Sequence, residues 1–221
     1  VYHGPDGLTS IATRVHEGAR ALAGALLYLG VRQLNDVFFD TITVRVPGRA
    51  DTVLAAAVAR GINLRRVDAD TVGISLDETS TEATVAEVLA AFGVRPDPPR
   101  AGLNGEAHGG VNGERSGVVN GEGAGVVPDA LRRATLYLEH PVFRSHQSET
   151  EMLRYLRRLA DKDLALDRTM IPLGSCTMKL NATTEMEPIT WPELAGVHPF
   201  APVEQAAGYR ELFADLERWL C

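Results

Sequence analysis

Residues 95–128 form a Gly- and Pro-rich stretch that divides the chain into two segments able to fold. Within this stretch, three imperfect octads each contain Asn-Gly-Glu, at 102–109, 110–117 and 118–125. Calcium-binding β-roll repeats carry Asp ligands, and these octads contain no Asp. Their apolar side chains are too few to offset the entropy lost on ordering the backbone. We therefore predict a flexible linker at 95–128 between folded parts at 1–94 and 129–221.

Residues 1–94 have the pattern of a small α+β domain. Apolar residues recur at spacings of three and four in the helical segments, whereas the strand segments are rich in β-branched residues. The pattern predicts helices at 8–29, 51–60 and 81–92, a strand at 37–46, and a hairpin from 62–67 and 71–76. Asp51 is the expected cap of the second helix, and Thr79 or Ser80 that of the third. This order of elements predicts one antiparallel sheet covered by helices.

Residues 129–221 are predicted to be mainly helical. Ser148 and Glu151 have the spacing of a capping box and begin a helix at 149–161. Its expected buried side consists of Met152, Leu153, Tyr155, Leu156 and Leu159. The opposite side carries Arg154, Arg157 and Arg158, for which a solvated face is favoured over an anion site. One helical turn is expected at 182–186, and a last helix from Glu204 onward, with its apolar residues on one face.

The stretch 170–181, Met-Ile-Pro-Leu-Gly-Ser-Cys-Thr-Met-Lys-Leu-Asn, has the most chemically varied side chains of the sequence. It has too many polar groups for a core and too little periodicity for a surface helix. Pro172 disfavours helix at the preceding residue, and Gly174 permits backbone angles closed to other residues. Two interpretations stay open from these residues alone, a loop that presents polar groups to a ligand and a polar surface loop between helices.

Composition limits the classes of partner and compartment. A net charge of −7 and a pI near 5.4 argue against nucleic acid or an anionic membrane. The two cysteines provide neither a disulfide framework nor metal-ligand spacing, so we expect a reducing compartment, the cytoplasm. Basic residues are nearly all Arg, which is typical of a GC-rich bacterial source. The chain does not begin with Met and ends within a helical pattern, so we expect a segment of a longer protein.

Several runs together resemble one family on both sides of the linker. Met170–Ala182 is the most specific of them. The others are Val-Tyr-His-Gly-Pro at 1–5, Gly-Ile-Ser-Leu-Asp-Glu-Thr at 73–79, Ser-Glu-Thr-Glu-Met-Leu-Arg-Tyr at 148–155, Pro-Ile-Thr-Trp-Pro-Glu at 188–193, His-Pro-Phe at 198–200 and Gln-Ala-Ala-Gly-Tyr at 205–209. By these motifs the chain resembles the glycine-decarboxylating P-protein family of the glycine cleavage system.

The resemblance implies a fold-type-I pyridoxal-phosphate enzyme of two homologous halves. Such an enzyme releases CO2 from glycine and passes the aminomethyl group to the oxidised lipoyl arm of the H-protein. Residues 1–94 would be the small α+β domain that closes the first half. Residues 129–221 would be the helical start of the second half, ahead of a cofactor domain that is not in this chain. The remainder of the P-protein, as a dimer, would be a further partner.

The resemblance also implies the candidate site. Ser175, Cys176 and Thr177 would line the pocket for substrate and cofactor, supported by Lys179 and Asn181. The family's Schiff-base lysine follows a His in the second half's cofactor domain, beyond Cys221, and no His-Lys occurs here. Lys179 is therefore not expected to bind the cofactor covalently. We expect no catalytic residue and no metal ligand within the chain, and we predict that the chain alone is inactive.

Three further points stay open at the level of sequence. The family has Tyr-His before Ser-Glu-Thr where this chain has His146-Gln147, so a role for His146 is in doubt. His140 and His198 match family positions and are more typical of packing or hydrogen bonding than of catalysis. The alternative function is a non-catalytic interaction module of a multi-subunit complex. A fold-type-I decarboxylase for a larger amino acid is disfavoured by the close match at 170–182.

Overall fold

A computed structural model describes residues 1–94, 127–162 and 182–221 of the chain. These residues form two compact units, Val1–Glu151 and Met152–Cys221. The predicted linker at 95–128 and the stretch 170–181 lie almost entirely outside the described residues. The division into domains at 1–94, 95–128 and 129–221 therefore stays a prediction.

The first unit contains a four-stranded antiparallel sheet. Its strands are β1 (Arg32–Gln33), β2 (Thr41–Arg45), β3 (Arg65–Arg66) and β4 (Thr71–Ser75). Their order in the sheet is β1-β2-β4-β3, so the two longer strands are central. The hairpin of β3 and β4 is confirmed, whereas β1 was not predicted because its two residues are too few to show alternation.

Three helices accompany the sheet, α1 (Gly4–Tyr28), α2 (Ala50–Val58) and α3 (Glu82–Ala91). Side chains of α1, α2 and α3 pack with those of β2 and β4 in one hydrophobic cluster. Eight of the largest side chains in it are fully buried: Leu22, Leu26, Ile42, Val44, Val53, Val72, Ile74 and Val88. Burial of each contributes about 1.5–3 kcal/mol. The predicted mixed fold with a small antiparallel sheet and covering helices is confirmed.

The cross-strand register explains which face of the sheet is buried. Ile42 pairs with Ile74 and Val44 pairs with Val72, so all four branched side chains point to the same face. Thr41 and Thr43 alternate with them and point to the other face, where the Thr41 and Ser75 hydroxyls lie 2.8 Å apart. Alternation of this kind fixes the register, because a slip by one residue would expose the whole apolar set.

Both predicted helix caps in the first unit are wrong. α2 is preceded by Arg49 without a side-chain cap, and Asp51 instead accepts a hydrogen bond of 2.9 Å from Arg66 Nε. α3 is capped by Thr81, whose hydroxyl accepts the Thr84 amide at 3.2 Å. Thr79 and Ser80 bind the Asp77 carboxylate instead, because that carboxylate lies within reach of both hydroxyls.

The segment 127–151 contacts the beginning of α1 within the same unit. Tyr137 donates its hydroxyl to the Pro5 carbonyl at 2.7 Å, and Arg144 pairs with Asp6 at 3.1 Å. Gly4 has φ +63°, and a Cβ placed there would lie 2.5 Å from Gln147 Nε2 and 2.8 Å from the Phe143 carbonyl oxygen. Only glycine fits this close approach without a shift of the neighbouring segment.

Helix α4 (Glu149–Ala160) begins in the first unit and continues into the second. The predicted Ser148 cap is confirmed, since its hydroxyl accepts the Glu151 amide at 3.3 Å. The predicted buried side is wrong for three leucines: Leu153 is 68% exposed, Leu156 53% and Leu159 42%. Described residues of the second unit provide no packed layer that covers this side. The arginines of α4 are exposed, as predicted, and Arg157 pairs with Asp161 at 3.0 Å.

The second unit also contains α5 (Thr183–Met186), α6 (Pro192–Ala195) and α7 (Ala207–Leu220). Tyr209 of α7 donates its hydroxyl to the Leu194 carbonyl at 2.7 Å, which ties α7 to α6. The predicted helical turn near 182–186 and the last helix are confirmed. No helix in the described ranges is long and apolar enough to cross a membrane.

Candidate functional site

The site residues predicted from sequence lie outside the residues that the structure describes. Ser175, Cys176, Thr177, Lys179 and Asn181 all fall between the described ranges that end at 162 and resume at 182. The proposal that they line a pocket therefore stays a prediction.

A groove in the first unit is formed by described residues and has a volume of about 530 Å³. It lies between α1 and the connection from β4 to α3. Its lining residues are Arg14, Val15, Glu17, Gly18, Ala21, Leu76, Asp77, Glu78, Ser80, Thr81, Glu82 and Val85. The connection contains the end of the run 73–79 that resembles the P-protein family.

The floor of the groove is apolar. It is formed by Val15 and Ala21 of α1, by Leu76 after β4 and by Val85 of α3. Gly18 gives the floor its depth, because a Cβ there would lie 3.3 Å from Leu76 Cδ1. The absence of a side chain at this position lets the helix approach the strand end closely.

One wall of the groove is a turn organised by Asp77. Its carboxylate accepts hydrogen bonds from the Thr79 hydroxyl at 2.7 Å, the Ser80 hydroxyl at 2.9 Å and the Thr79 amide at 3.0 Å. The hydrogen bond from the Thr79 side chain is the main cause of a lowered pKa for Asp77. The Asp77 amide in turn donates to the Ser80 hydroxyl at 3.1 Å. The turn is therefore held in a single conformation before any ligand binds.

The rim of the groove is acidic. Arg14 is the sole cation among the described residues of the lining, and its guanidinium donates to the Glu78 carbonyl oxygen at 2.9 Å. Glu17, Glu78 and Glu82 have exposed side chains. Their carboxylates make no ion pair with any of the residues that the structure describes. The rim thus presents negative charge around an apolar floor.

This arrangement suits binding rather than catalysis. Among the described residues that line the groove there is no histidine or cysteine. The Ser80 hydroxyl, its one serine, is committed to Asp77. The Asp77 carboxylate lies within reach of that hydroxyl, but its lowered pKa makes it a weak general base. Over 1–94, 127–162 and 182–221, no cluster of His, Cys, Asp and Glu could hold a metal ion.

The two histidines left open by the sequence act as local acceptors. His140 Nδ1 accepts the Val142 amide at 3.2 Å, and His198 Nδ1 accepts the Phe200 amide at 3.0 Å. Each imidazole thus closes the turn around its own His-Pro peptide. The favoured structural interpretation agrees with these contacts. His16, which the sequence did not single out, stacks on Phe39 with ring centroids 5.0 Å apart.

The described residues do not fit pyridoxal phosphate. Their one lysine, Lys162, is exposed just past the end of α4. The acidic rim of the groove would repel the cofactor's phosphate, which proteins usually bind at helix N-termini or cationic loops.

Comparison with known proteins identifies the relatives of the chain. Residues 1–92 match the family described as glycine cleavage system P-protein. Over its whole length the chain is 53% identical to a glycine dehydrogenase (decarboxylating) of Gluconobacter oxydans. The corresponding proteins of Cereibacter sphaeroides and a Jannaschia species are 52% and 50% identical, again over the whole chain. The chain is therefore similar to P-proteins of the glycine cleavage system over its whole length.

These matches confirm the resemblance seen in the sequence motifs. The alignments with these relatives cover the whole chain, including both units and the Gly-rich stretch. The chain spans 21–22% of the length of these P-protein relatives. Most of the length of each relative therefore has no counterpart within residues 1–221.

Sequence reasoning missed the groove. Arg14, Glu17 and Gly18 lie on one stripe of α1, and Asp77 to Glu82 lie some 60 residues later. The available signal was the pair of small residues Gly18 and Ala21 on the helix, one turn apart. Small residues at that spacing allow another element to approach a helix closely.

Proposed function

We propose that this chain is part of a glycine-decarboxylating enzyme of the glycine cleavage system. The observation that carries the proposal is 53% identity over the whole chain to a protein named glycine dehydrogenase (decarboxylating). The complete enzyme would release CO2 from glycine and transfer the aminomethyl group to the lipoyl group of the H-protein. It would act as a dimer in the bacterial cytoplasm. The alternative of a non-catalytic interaction module is not favoured by the relatives.

Pyridoxal phosphate would be the cofactor of the complete enzyme. When bound, it serves as the electron sink for the carbanion that remains after decarboxylation. The lysine that binds it would lie in the fold-type-I cofactor domain beyond Cys221. We expect the 221-residue chain, mixed with the cofactor, to show no absorption band of a lysine-bound cofactor. Appearance of such a band that depends on Lys179 would contradict this assignment.

The three parts of the chain would have separate roles. Residues 1–94 would form the small domain that closes the first half, and 95–128 would link the halves. Residues 129–221 would begin the second half and carry the motif at 170–182 to the active site. The P-protein family match over 1–92 supports the first of these assignments.

Within that motif, Ser175, Cys176 and Thr177 are proposed to line the substrate and cofactor pocket. Short hydroxyl and thiol side chains give directional hydrogen bonds without filling a pocket that must also admit a lipoyl sulfur. Lys179 and Asn181 would support the loop from its far end.

A double variant in the full-length enzyme tests the motif. We expect Ser175→Ala with Thr177→Ala to lower kcat/KM by about 100-fold, the usual cost of removing hydrogen bonds that strengthen in the transition state. The matched control is Thr13→Ala with Thr52→Ala, which removes two exposed hydroxyls from α1 and α2. Unchanged kcat and KM in the first variant would remove these residues from the active site.

A further inference from the structure

We infer that the acidic groove receives a Lys- or Arg-bearing amphipathic segment of the same polypeptide, from outside residues 1–221. The inference rests on the proposed function, because it requires that the chain be part of a complete P-protein. It concerns an interaction surface within the enzyme and assigns no catalytic role to the groove.

The groove is preorganised for an occupant. The Asp77 turn is fixed by its own hydrogen bonds, and α3 begins at the cap formed by Thr81 and Thr84. Arg14 links α1 to that turn through the Glu78 carbonyl. A surface held rigid before association loses little conformational entropy when a partner binds.

The lining defines the chemistry of the occupant. Val15, Leu76 and Val85 offer apolar area that favours an aliphatic body. The carboxylates of Glu17, Glu78 and Glu82 surround that floor. Long basic side chains bury their aliphatic stems and keep the charged end at the polar rim. A segment with aliphatic residues next to Lys or Arg therefore matches both the floor and the rim, whereas an anionic ligand would be repelled.

The length of the relatives indicates where this occupant comes from. The chain corresponds to 21–22% of the length of the P-protein relatives. The groove lies within residues 1–92, which the P-protein family model matches. In a polypeptide of that length, most residues lie outside 1–221 and supply the candidate occupants of the groove. A groove formed entirely within the family match, with an apolar floor of this depth, is a suitable surface for one of them.

Photo-crosslinking in the full-length polypeptide that carries this chain tests the inference. Benzoylphenylalanine replaces Ala21, which is exposed on the groove, and the control carries it at Val58, which is 49% exposed on α2. After irradiation and digestion, mass spectrometry identifies the attached peptide. We expect Ala21, but not Val58, to link to a peptide from outside 1–221 that contains Lys or Arg beside aliphatic residues.

A charge variant supplies an independent measurement. Glu17→Gln, Glu78→Gln and Glu82→Gln together should lower the yield of the Ala21 cross-link about fivefold, as expected for loss of exposed ion pairs. The matched control is Glu204→Gln, Glu211→Gln and Glu217→Gln, which removes three exposed carboxylates from the second unit and should leave the yield unchanged.

Several outcomes would overturn the inference. They are an adduct within 1–221, an adduct to a second copy, an adduct to another protein, no adduct, or a yield that the charge variant leaves unchanged. Glycine decarboxylation by the same preparations is measured in parallel. Activity without the expected cross-link would refute the groove inference alone, whereas the cross-link without activity would refute the proposed function.

Discussion

Gly4 is a residue at which segment 127–151 approaches α1 closely, and this approach can be tested by substitution. Gly4→Ala forces a non-glycine residue to φ +63° and places a Cβ 2.8 Å from a backbone carbonyl oxygen. We expect it to weaken the docking of 127–151 by about 3 kcal/mol. Faster hydrogen exchange of the Phe143 and Arg144 amides would report this, since both are bonded within their turn.

Gly30 provides the matched control. It has φ +76°, but a Cβ there would have no atom within 4 Å. Gly30→Ala should therefore lower the free energy of unfolding by about 1 kcal/mol, because it introduces only the strain of the left-handed backbone. If Gly4→Ala and Gly30→Ala cost the same free energy, steric contact at Gly4 plays no part. The described docking of 127–151 against α1 would then be incorrect.

The contribution of the Asp77 carboxylate to stability depends on pH. Hydrogen bonds from Thr79 and Ser80 hold its pKa below the ordinary value of 3.8. The charged form therefore stabilises the folded state above the unfolded-state pKa, and this contribution is lost as pH falls through the lowered value. We expect the stability difference between the wild type and Asp77→Asn to shrink between about pH 5 and pH 2.

Urea unfolding at several pH values would measure this difference. Asp36→Asn is a suitable control because it also removes one carboxylate of the first unit, outside the Asp77 turn. A difference that stays constant on acidification would show that the folded state does not hold Asp77 in its charged form.

At the level of elements, the beginning of α3 depends on Thr81. We expect Thr81→Ala to reduce the free energy of unfolding by about 1 kcal/mol, because the Thr84 amide loses its acceptor. Asp51→Ala near the start of α2 should have much less effect, since Asp51 caps no helix and its side chain is 78% exposed. Thermal unfolding of the two variants distinguishes them, and equal losses would restore Asp51 as the cap that the sequence suggested.

Helices and central strands could be predicted from the sequence because their periodicity reflects burial directly. The stripe on α1 and the branched residues of β2 and β4 form the core of the first unit. Caps were predicted less well, because Thr79, Ser80 and Thr81 are equivalent in type and only the position of Asp77 decides which of them is free. The same limit applies to β1, whose position depends on its pairing with β2.

The apolar faces of α4 and α7 show where periodicity misleads. Their spacing is that of buried stripes, yet Leu156 of α4 is 53% exposed and Phe213 of α7 is 56% exposed. A pattern indicates that a face is apolar, but it does not identify what covers that face. In the 221-residue chain we expect Leu156→Ala to change stability by less than about 0.5 kcal/mol.

Leu22→Ala is the comparison for that variant. Leu22 is fully buried in the core of the first unit, and its truncation should cost about 2–5 kcal/mol. Denaturant unfolding followed by circular dichroism would measure both variants. A large loss in Leu156→Ala would show that α4 is covered within this chain.

On the scale of the whole molecule, the sequence and the structure point to two different candidate sites. The motif at 170–182 could be recognised from residue types alone, because Ser175, Cys176 and Thr177 are adjacent in the chain. The groove could not, because its two sides, at 14–21 and 76–85, meet only through the packing of α1 against the end of β4.

The most direct test of the proposed function is glycine decarboxylation by the full-length polypeptide that carries this chain. The protein, loaded with pyridoxal phosphate and given lipoylated H-protein, is supplied with carboxyl-labelled glycine, and labelled CO2 is collected. We predict release that requires both glycine and H-protein, and none from the 221-residue chain alone. A folded full-length protein that binds the cofactor yet releases no label would contradict the account.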